Sequence, residues 1–282
     1  MACSKYFVSS FSTTVELIVE GSLEFHSALR EERFWYEFVP GFAFIESASV
    51  DAAWHVMEAE SLGYNEEDRT ITSSIDTLSR IVVIIEAIFE ILRQQQALYT
   101  MHGSVIVCGT KAVALIGNLS GIGKTTLASY ASRHGWRWIH DEKFTIHEGV
   151  LIGGTRGILN DSKTHRASPG IIPTAMDRQC PIALVCQPIV TTEADVTQFV
   201  LSPEKSQWVL YDEMTRDIRQ VNGIVDPTLP VLSSYDTAAL AEARVKTVME
   251  LTRTVPVVYL RGSTGGILSE MKAMLAWGGV IA

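Results

Sequence analysis

A glycine-rich turn between a predicted strand and a predicted helix constrains this chain more than any other feature. Residues 112–116 are a short apolar run that predicts a buried strand, and the turn after it contains the sequence GNLSGIGKTT. An amphipathic segment at 127–134 predicts a helix, and a second short apolar run at 136–139 leads to Asp141 and Glu142. This order of strand, glycine loop, Lys-Thr, helix, strand and carboxylates predicts a P-loop nucleotide-binding site.

Each residue type in this turn has a chemical reason. Gly121 and Gly123 let the backbone curl so that successive N–H groups point at phosphate oxygens. Lys124 would reach the β- and γ-phosphates of ATP, and the Thr125 hydroxyl would ligate Mg²⁺. The predicted ATP-binding residues are Asn118, Leu119, Ser120, Gly121, Ile122, Gly123, Lys124, Thr125 and Thr126.

One position departs from the strict P-loop pattern. That pattern places glycine at position 118, where this chain has Asn118, with Gly117 one place earlier. Asparagine tolerates a left-handed backbone better than other non-glycine residues, so the loop can still form. A chance Gly-Lys-Thr in a surface loop is the alternative, and the strand before it and the helix after it argue against that.

Composition fits a soluble globular enzyme, because 47% of the 282 residues are apolar and 20% are charged. The most apolar run, residues 81–92, is too short to span a bilayer and contains Glu86 and Glu90, so it predicts a buried helix. The N-terminus lacks the basic and apolar regions of a signal peptide. The cysteines at positions 3, 108, 180 and 186 have no metal-binding spacing. We therefore expect free thiols, a cytoplasmic protein and no membrane partner.

The net charge of −9 comes from one end of the chain. Residues 1–70 carry 13 acidic and 4 basic side chains, which accounts for all of it. This excess argues against nucleic acid as a partner. It predicts a solvated acidic surface, and a docking face for a basic peptide is the alternative.

Residues 1–72 predict a small β-rich region and residues 73–282 the P-loop domain. Short apolar or aromatic runs predict strands at 6–8, 15–19, 34–39, 42–45 and 54–57, and the polar stretch 63–72 predicts a linker or hairpin. Helical periodicity covers 73–97. Further strands are predicted at 98–107, 144–146, 150–152, 182–185, 196–201 and 255–260, and helices from 202, at 236–254 and at 267–275. Residues 153–169 predict a loop near the phosphates.

Four stretches resemble the C-terminal kinase domain of HPr kinase/phosphorylase and its relatives. They are MHGSVIV, GNLSGIGKTTL, HGWRWIHDE and ARVKTVMELTRTVPVVYL, which begin at residues 101, 117, 134 and 243. The loop is also similar to that of ATP-dependent phosphoenolpyruvate carboxykinases. The resemblance implies an α/β P-loop kinase core with a mixed sheet, preceded by the small β-rich region. The N-terminal part is more similar to the stand-alone relatives, which include kinases of lasso-peptide precursors.

The resemblance also implies catalytic roles. Asp141 would be the base for a serine or threonine hydroxyl, His102 would orient it, and Glu142 would bind the metal beside Thr125. We expect His140 to be structural. Three cations of the 153–169 loop, Arg156, Lys163 and Arg166, would steady the transferred phosphate.

Two departures from the family pattern make HPr an unexpected substrate. The family has two adjacent aspartates where this chain has Asp141 and Glu142, and it has an Arg-Gly-Leu-Gly-Ile signature that residues 155–159 echo only faintly. The sequence therefore predicts an ATP- and Mg²⁺-dependent kinase acting on a hydroxyl of a peptide or protein. The alternatives are a small-molecule kinase or carboxykinase-like enzyme and a non-catalytic nucleotide-binding module. The oligomeric state stays open, a homo-oligomer included.

Overall fold

The computed structural model describes residues 1–47, 49–117, 121–155, 179–219 and 236–276. The protein is a mixed α/β protein that divides into two compact units. The first unit comprises Met1–Gln96 and Asp217–Asp236, and the second comprises Ala97–Arg216 and Thr237–Ala282. Within the described residues, no helix combines the length and the apolar character needed to cross a lipid bilayer.

The first unit is a six-stranded sheet packed against helices, with the strand order β3-β1-β2-β4-β6-β5. Its elements are β1 (Ala2–Ser10), β2 (Thr13–Gly21), α1 (Leu23–Glu31), α2 (Phe34–Phe38), β3 (Phe42–Ile45), β4 (Ala52–Glu58), β5 (Gly63–Asn65), β6 (Thr70–Ser73) and α3 (Leu78–Gln95). The strands predicted around residues 6, 15, 42 and 54 are confirmed, and the 63–72 stretch forms the β5–β6 hairpin. The predicted helix after residue 73 is α3, whose apolar face packs into the core of this unit.

Two helices of the first unit differ from the sequence expectation. The strand predicted at 34–39 is wrong, because this segment forms α2. Its aromatic residues follow helical spacing: the rings of Phe34 and Phe38 stack at 5.1 Å, and Trp35 is buried and stacks on Phe42 at 5.0 Å. Helix α1 was not predicted. Ser22 is its N-cap and accepts a hydrogen bond from the Phe25 amide at 3.1 Å.

The second unit is a mixed sheet with the strand order β11-β10-β7-β8-β12-β14-β13, and β9 pairs with β7. Strands β8, β12 and β14 are parallel, and β7 is antiparallel to β8, β9 and β10. The elements are β7 (Tyr99–Cys108), β8 (Lys111–Ile116), α4 (Lys124–Ser132), β9 (Arg137–His140), β10 (Lys143–His147), β11 (Val150–Gly154), β12 (Cys180–Val190), β13 (Thr197–Val200), α5 (Pro203–Thr215), α6 (Ala238–Leu251), β14 (Val257–Gly262) and α7 (Thr264–Ala276). Each predicted strand and helix of this region is confirmed within a few residues of its expected ends.

Alternation along the strands builds two cores in the second unit. On β8, Ala112, Ala114 and Ile116 face one core, whereas Val113 and Leu115 face the other. Helices α5 and α6 cover the first face, and α4 and α7 cover the second. Because helices cover both faces, β8 and β12 are apolar nearly throughout, as buried parallel strands are. This packing brings the ends of β8 and β9 and the middle of β7 to the start of α4.

Candidate functional site

The glycine turn leads directly into α4. Gly123 is the N-cap of this helix and has a left-handed backbone with φ of 100°. A Cβ at this position would lie 2.4 Å from Cγ2 of Val190, so both the conformation and the space require glycine. The amide of Val190 donates to the carbonyl of Ile122 at 2.9 Å and ties the turn to the end of β12. Of the predicted ATP-binding residues, Asn118, Leu119 and Ser120 lie outside the described residues.

Lys124 opens α4 and turns its side chain back over the loop. Its Nζ donates a hydrogen bond to the carbonyl of Gly117 at 2.9 Å. Burial lowers the pKa of Lys124, and the carboxylates of Glu213, Glu142 and Asp141 oppose this shift. The negative charges of three carboxylates therefore act on the ammonium group, and Lys124 stands in the first turn of a helix, where the backbone amides lack intrahelical partners and favour an anion.

Asp141 follows β9 and reaches the second residue of α4. The Thr125 hydroxyl contacts both carboxylate oxygens of Asp141, at 3.3 and 3.4 Å, and the Ser104 hydroxyl donates a hydrogen bond to one of them. Burial raises the pKa of Asp141 to about 6, and the hydrogen bond from Ser104 acts in the opposite direction. Thr125 and Asp141 thus present a hydroxyl and a carboxylate side by side, and hard divalent cations take such oxygen donors.

Glu142 stands next to His102. The β7–β10 register places His102 opposite Lys143, and the His102 Nε2 lies 3.9 Å from Oε2 of Glu142. The side chains of His102 and Glu142 are 29% and 53% exposed, so both are accessible from solution. The structure therefore joins His102 with Glu142 and joins Asp141 with Thr125.

The backbone around the acidic pair is held by several hydrogen bonds. The Gly103 amide donates to the Glu142 carbonyl at 3.0 Å, and the Lys143 amide donates to the Asp141 carbonyl at 2.9 Å. Thr155 is fully buried, and its hydroxyl donates to the Asp141 carbonyl. Sequence reasoning missed the supporting residues Ser104, which lies within a predicted strand, and Thr155, which lies at the start of the predicted loop.

His140 is buried next to the acidic pair. Its side chain is 5% exposed, its Nδ1 lies 3.4 Å from the Thr155 carbonyl, and its Nε2 has no hydrogen-bond partner in the described part of the chain. Burial lowers the pKa of His140 to about 4, so the imidazole is neutral. Gly154 packs directly on the ring, which agrees with the structural role predicted for His140.

The charges of Glu213 in α5 and of Arg216, the C-cap residue of this helix, act on the pKa of Lys124, and sequence reasoning missed both residues. Glu213 is 1% exposed, and burial raises its pKa to about 7, against the attraction of Arg216 and Lys124. The signal that could have found them is a Glu-x-x-Arg spacing at the end of a predicted helix. The predicted loop cations Arg156, Lys163 and Arg166 lie outside the described residues.

A separate cluster of charges lies in the first unit. The ligand atoms of Glu86, Glu90 and Asp217 lie within 4.8 Å of one another. Arg93 is fully buried beside them and hydrogen-bonds Glu86 and Glu90 at 2.8 Å each. Because the Arg93 guanidinium already bonds two of the three carboxylates, the cluster forms an ion-pair network of the core.

Comparison with protein-family models finds no match to the chain, and a search of curated proteins finds none either.

Proposed function

We propose that this protein is an ATP-dependent kinase that transfers the γ-phosphate to a serine- or threonine-type hydroxyl of a peptide or protein. The observation that carries the proposal is the contact between Thr125 and Asp141, because it joins the glycine turn and α4 to the acidic turn. The four stretches similar to the HPr kinase domain support the same activity. A precursor peptide is the substrate class that this similarity suggests.

The nucleotide side of the proposed site is formed by the turn and Lys124. The amides at the start of α4 would receive phosphate oxygens, and Lys124 would neutralise charge on the β- and γ-phosphates. The donor set of Thr125 and Asp141 fits a magnesium ion, since both offer oxygen ligands at one point. A bound Mg²⁺ would supply charge neutralisation on the phosphate oxygens.

The acceptor side is formed by Glu142 and His102. Asp141 is buried against Thr125, whereas Glu142 is accessible and stands beside His102. We therefore assign the metal-binding role to Asp141 with Thr125, and the base role to Glu142. Glu142 would take the proton of the attacking hydroxyl, and His102 would orient the carboxylate. This reverses the roles that the sequence favoured for the two acidic residues.

Substituting Lys124 tests the proposal. In Lys124→Ala we expect Mg²⁺-dependent ATP turnover, measured with Ser/Thr peptides or with water as the acceptor, to fall by about a thousandfold, the scale for losing a charged transition-state contact. The melting temperature should stay unchanged, since Lys124 fills no part of the core. Lys205→Ala, an exposed lysine of α5, is the matched control and should keep full turnover.

The outcomes separate the alternatives. Wild-type turnover that survives in Lys124→Ala would contradict the site assignment. Transfer to small hydroxylated metabolites without transfer to peptides would favour the small-molecule kinase. Tight ATP binding without any turnover would favour the non-catalytic module.

A further inference from the structure

Strand β7 meets the acidic turn with two polar side chains, one for each carboxylate. His102 and Ser104 are two residues apart, so they lie on the same face of this strand. The His102 Nε2 lies 3.9 Å from Oε2 of Glu142, and the Ser104 hydroxyl donates a hydrogen bond to Oδ1 of Asp141. The same strand therefore contacts both acidic residues, each through a different side chain.

The pairing of β7 with its neighbours determines where Ser104 lies. Ser104 pairs with Leu115 of β8, the strand that leads into the glycine turn. The next residue, Val105, pairs with His140 of β9, and this register places Asp141 beside Ser104. Ser104 is 0% exposed, so it is enclosed between the strand before the glycine turn and the strand before the acidic turn.

A hydroxyl is unexpected at this buried position. Residues 105–107 of the same strand are Val, Ile and Val, and all three are buried. A buried hydroxyl is unfavourable unless it forms a hydrogen bond, and valine suits a buried strand better than serine does. Because packing alone would favour an apolar side chain at position 104, the bond to Asp141 accounts for the serine.

The bond from Ser104 fixes the orientation of the Asp141 carboxylate. The torsion about the last bond of an aspartate is broad, so the carboxylate turns easily without a partner. The Thr125 hydroxyl lies 3.4 Å from Oδ1 and 3.3 Å from Oδ2, so it does not select between the two oxygens. The backbone amide of Glu142 also faces this carboxylate, but any residue at position 142 would supply it. Ser104 selects Oδ1 and leaves Oδ2 facing the Thr125 hydroxyl.

We propose that Ser104 is a positioning residue for divalent-cation binding: by holding Oδ1 of Asp141, it leaves Oδ2 and the Thr125 hydroxyl as the pair of oxygens that bind the cation. Groups that hydrogen-bond a ligating carboxylate orient it and strengthen its binding of the metal. Ser104 itself is not a ligand. The proposal rests on the proposed function for the cation site, but the effect of the hydroxyl on cation binding can be measured without phosphate transfer.

The test compares Ser104→Thr with Ser104→Val, since the two new side chains have nearly the same shape and only threonine keeps the hydroxyl. The measurement is Mn²⁺ binding to the full chain, followed by electron paramagnetic resonance with and without a non-hydrolysable ATP analogue. We expect Ser104→Val to weaken Mn²⁺ binding by about 10- to 100-fold, the scale for removing a hydrogen-bond partner of a metal ligand. Ser104→Thr should retain most of the affinity. Ser104→Ala removes the hydroxyl without adding bulk and should behave like Ser104→Val.

The matched control is Thr100→Val. Thr100 is another buried hydroxyl residue of β7, and its Oγ1 lies 3.2 Å from Oγ1 of Thr145 on β10. Thr100→Val and Ser104→Val each remove a buried hydrogen bond and should lower the melting temperature, but Thr100→Val should leave the Mn²⁺ affinity unchanged. A purely structural role of Ser104 would make the two variants alike in both measurements.

The outcomes distinguish this proposal from the kinase assignment. If wild type, Ser104→Val and Ser104→Ala bind Mn²⁺ equally well, the role of Ser104 is overturned and the kinase assignment stands. The same conclusion follows if Ser104→Thr, which keeps the hydroxyl, loses as much affinity as Ser104→Ala. If Mn²⁺ binding depends on the Ser104 hydroxyl but wild type turns over no ATP, the role of Ser104 stands and the kinase assignment fails. If wild type binds no Mn²⁺ with or without the analogue, both are overturned.

Discussion

At the scale of single residues, Glu142 has a backbone conformation that is uncommon for a non-glycine residue. Its φ is 67°, a left-handed backbone that costs a non-glycine residue on the order of 1–3 kcal/mol. The hydrogen bond from the Gly103 amide to its carbonyl holds this turn, and β7 approaches so closely that a Cβ on Gly103 would lie 2.1 Å from the Leu115 carbonyl oxygen. The fold thus holds Glu142 in a backbone conformation that glutamate disfavours, and this conformation fixes the direction of its side chain.

Glu142→Gln and Asp141→Asn should change different properties, the first the turnover rate and the second the Mg²⁺ dependence. A base contributes about 10²–10⁴-fold to a rate, so we expect Glu142→Gln to lower turnover by at least a hundredfold at unchanged ATP affinity. Asp141→Asn should instead raise the Mg²⁺ concentration needed for half-maximal turnover, since it weakens the pair with Thr125. Steady-state kinetics over a Mg²⁺ series would measure both effects.

A suitable control exists for Glu142. Glu148 is another exposed glutamate in a left-handed turn, with φ of 49°, and Glu148→Gln should leave turnover and Mg²⁺ dependence unchanged. The reverse pattern, in which Asp141→Asn affects only the rate and Glu142→Gln only the metal, would restore the assignment made from the sequence.

The lowered pKa of His140 predicts how the free energy of unfolding changes with pH. Its pKa is about 4 in the folded protein and 6.5 in the reference state, so unfolding binds a proton between these values. The stability from the neutral ring is complete above pH 6.5 and is lost as the pH falls towards 4, by about 3 kcal/mol in total. Urea unfolding of wild type and His140→Leu across this range should show a flatter dependence in the variant. Parallel curves would refute the account.

At the scale of elements, α3 carries an ion-pair network. Hydrophobic periodicity predicted the helix but did not predict the network. Arg93 is fully buried and donates to Glu86 and Glu90 at 2.8 Å and to the Ser10 hydroxyl at 2.7 Å. Burial alone would disfavour the charge of Arg93, but Glu86 and Glu90 together raise its pKa. The hydrogen bond from Arg93 to Ser10 therefore links α3 to β1. The charge of Arg93 and the charges of Glu86 and Glu90 stabilise one another.

Arg93→Met should strongly destabilise the first unit. Removing one partner leaves two buried carboxylates without a counter-charge, which costs about 3–5 kcal/mol. Arg261→Met is the comparison, because Arg261 forms a pair with Glu193 at 3.0 Å whose side chains are 47% and 55% exposed, worth less than about 1 kcal/mol. Chemical unfolding monitored by circular dichroism would measure both. A loss below about 1 kcal/mol in Arg93→Met would mean that the network contributes little.

At the scale of the whole molecule, the protein has separate hydrophobic cores in its two units. Among the described residues, one core lies in the first unit, and two others lie on the faces of the second sheet. We expect calorimetric unfolding to show two transitions, because units with their own cores need not melt together. Arg93→Met should lower one transition and Gly103→Ala, which forces a Cβ against Leu115, the other. A single transition shifted by both variants would show that the units unfold as one.

Local features of this protein follow from the amino-acid sequence alone. Features that depend on neighbouring residues are encoded directly by hydrophobic periodicity and by turn-forming residues. They include the strands with buried residues on both faces, the helical period of α3, the 144–152 hairpin and the glycine turn before Lys124. The prediction for 34–39 was wrong because aromatic residues locally favour strands, whereas this segment forms a helix that packs on Phe42 and α3.

Tertiary structure decided which distant residues meet. Pairing of β7 with β10 brought His102 to Glu142, packing of α4 beside β9 brought Thr125 to Asp141, and α5 carried Glu213 to the site from about 70 residues further along the chain. The choice between two adjacent carboxylates for one histidine depends on a backbone angle at Glu142, which the hydrogen bond from Gly103 helps to fix. No pattern in the local sequence contains that bond, because it forms only when the second sheet is assembled.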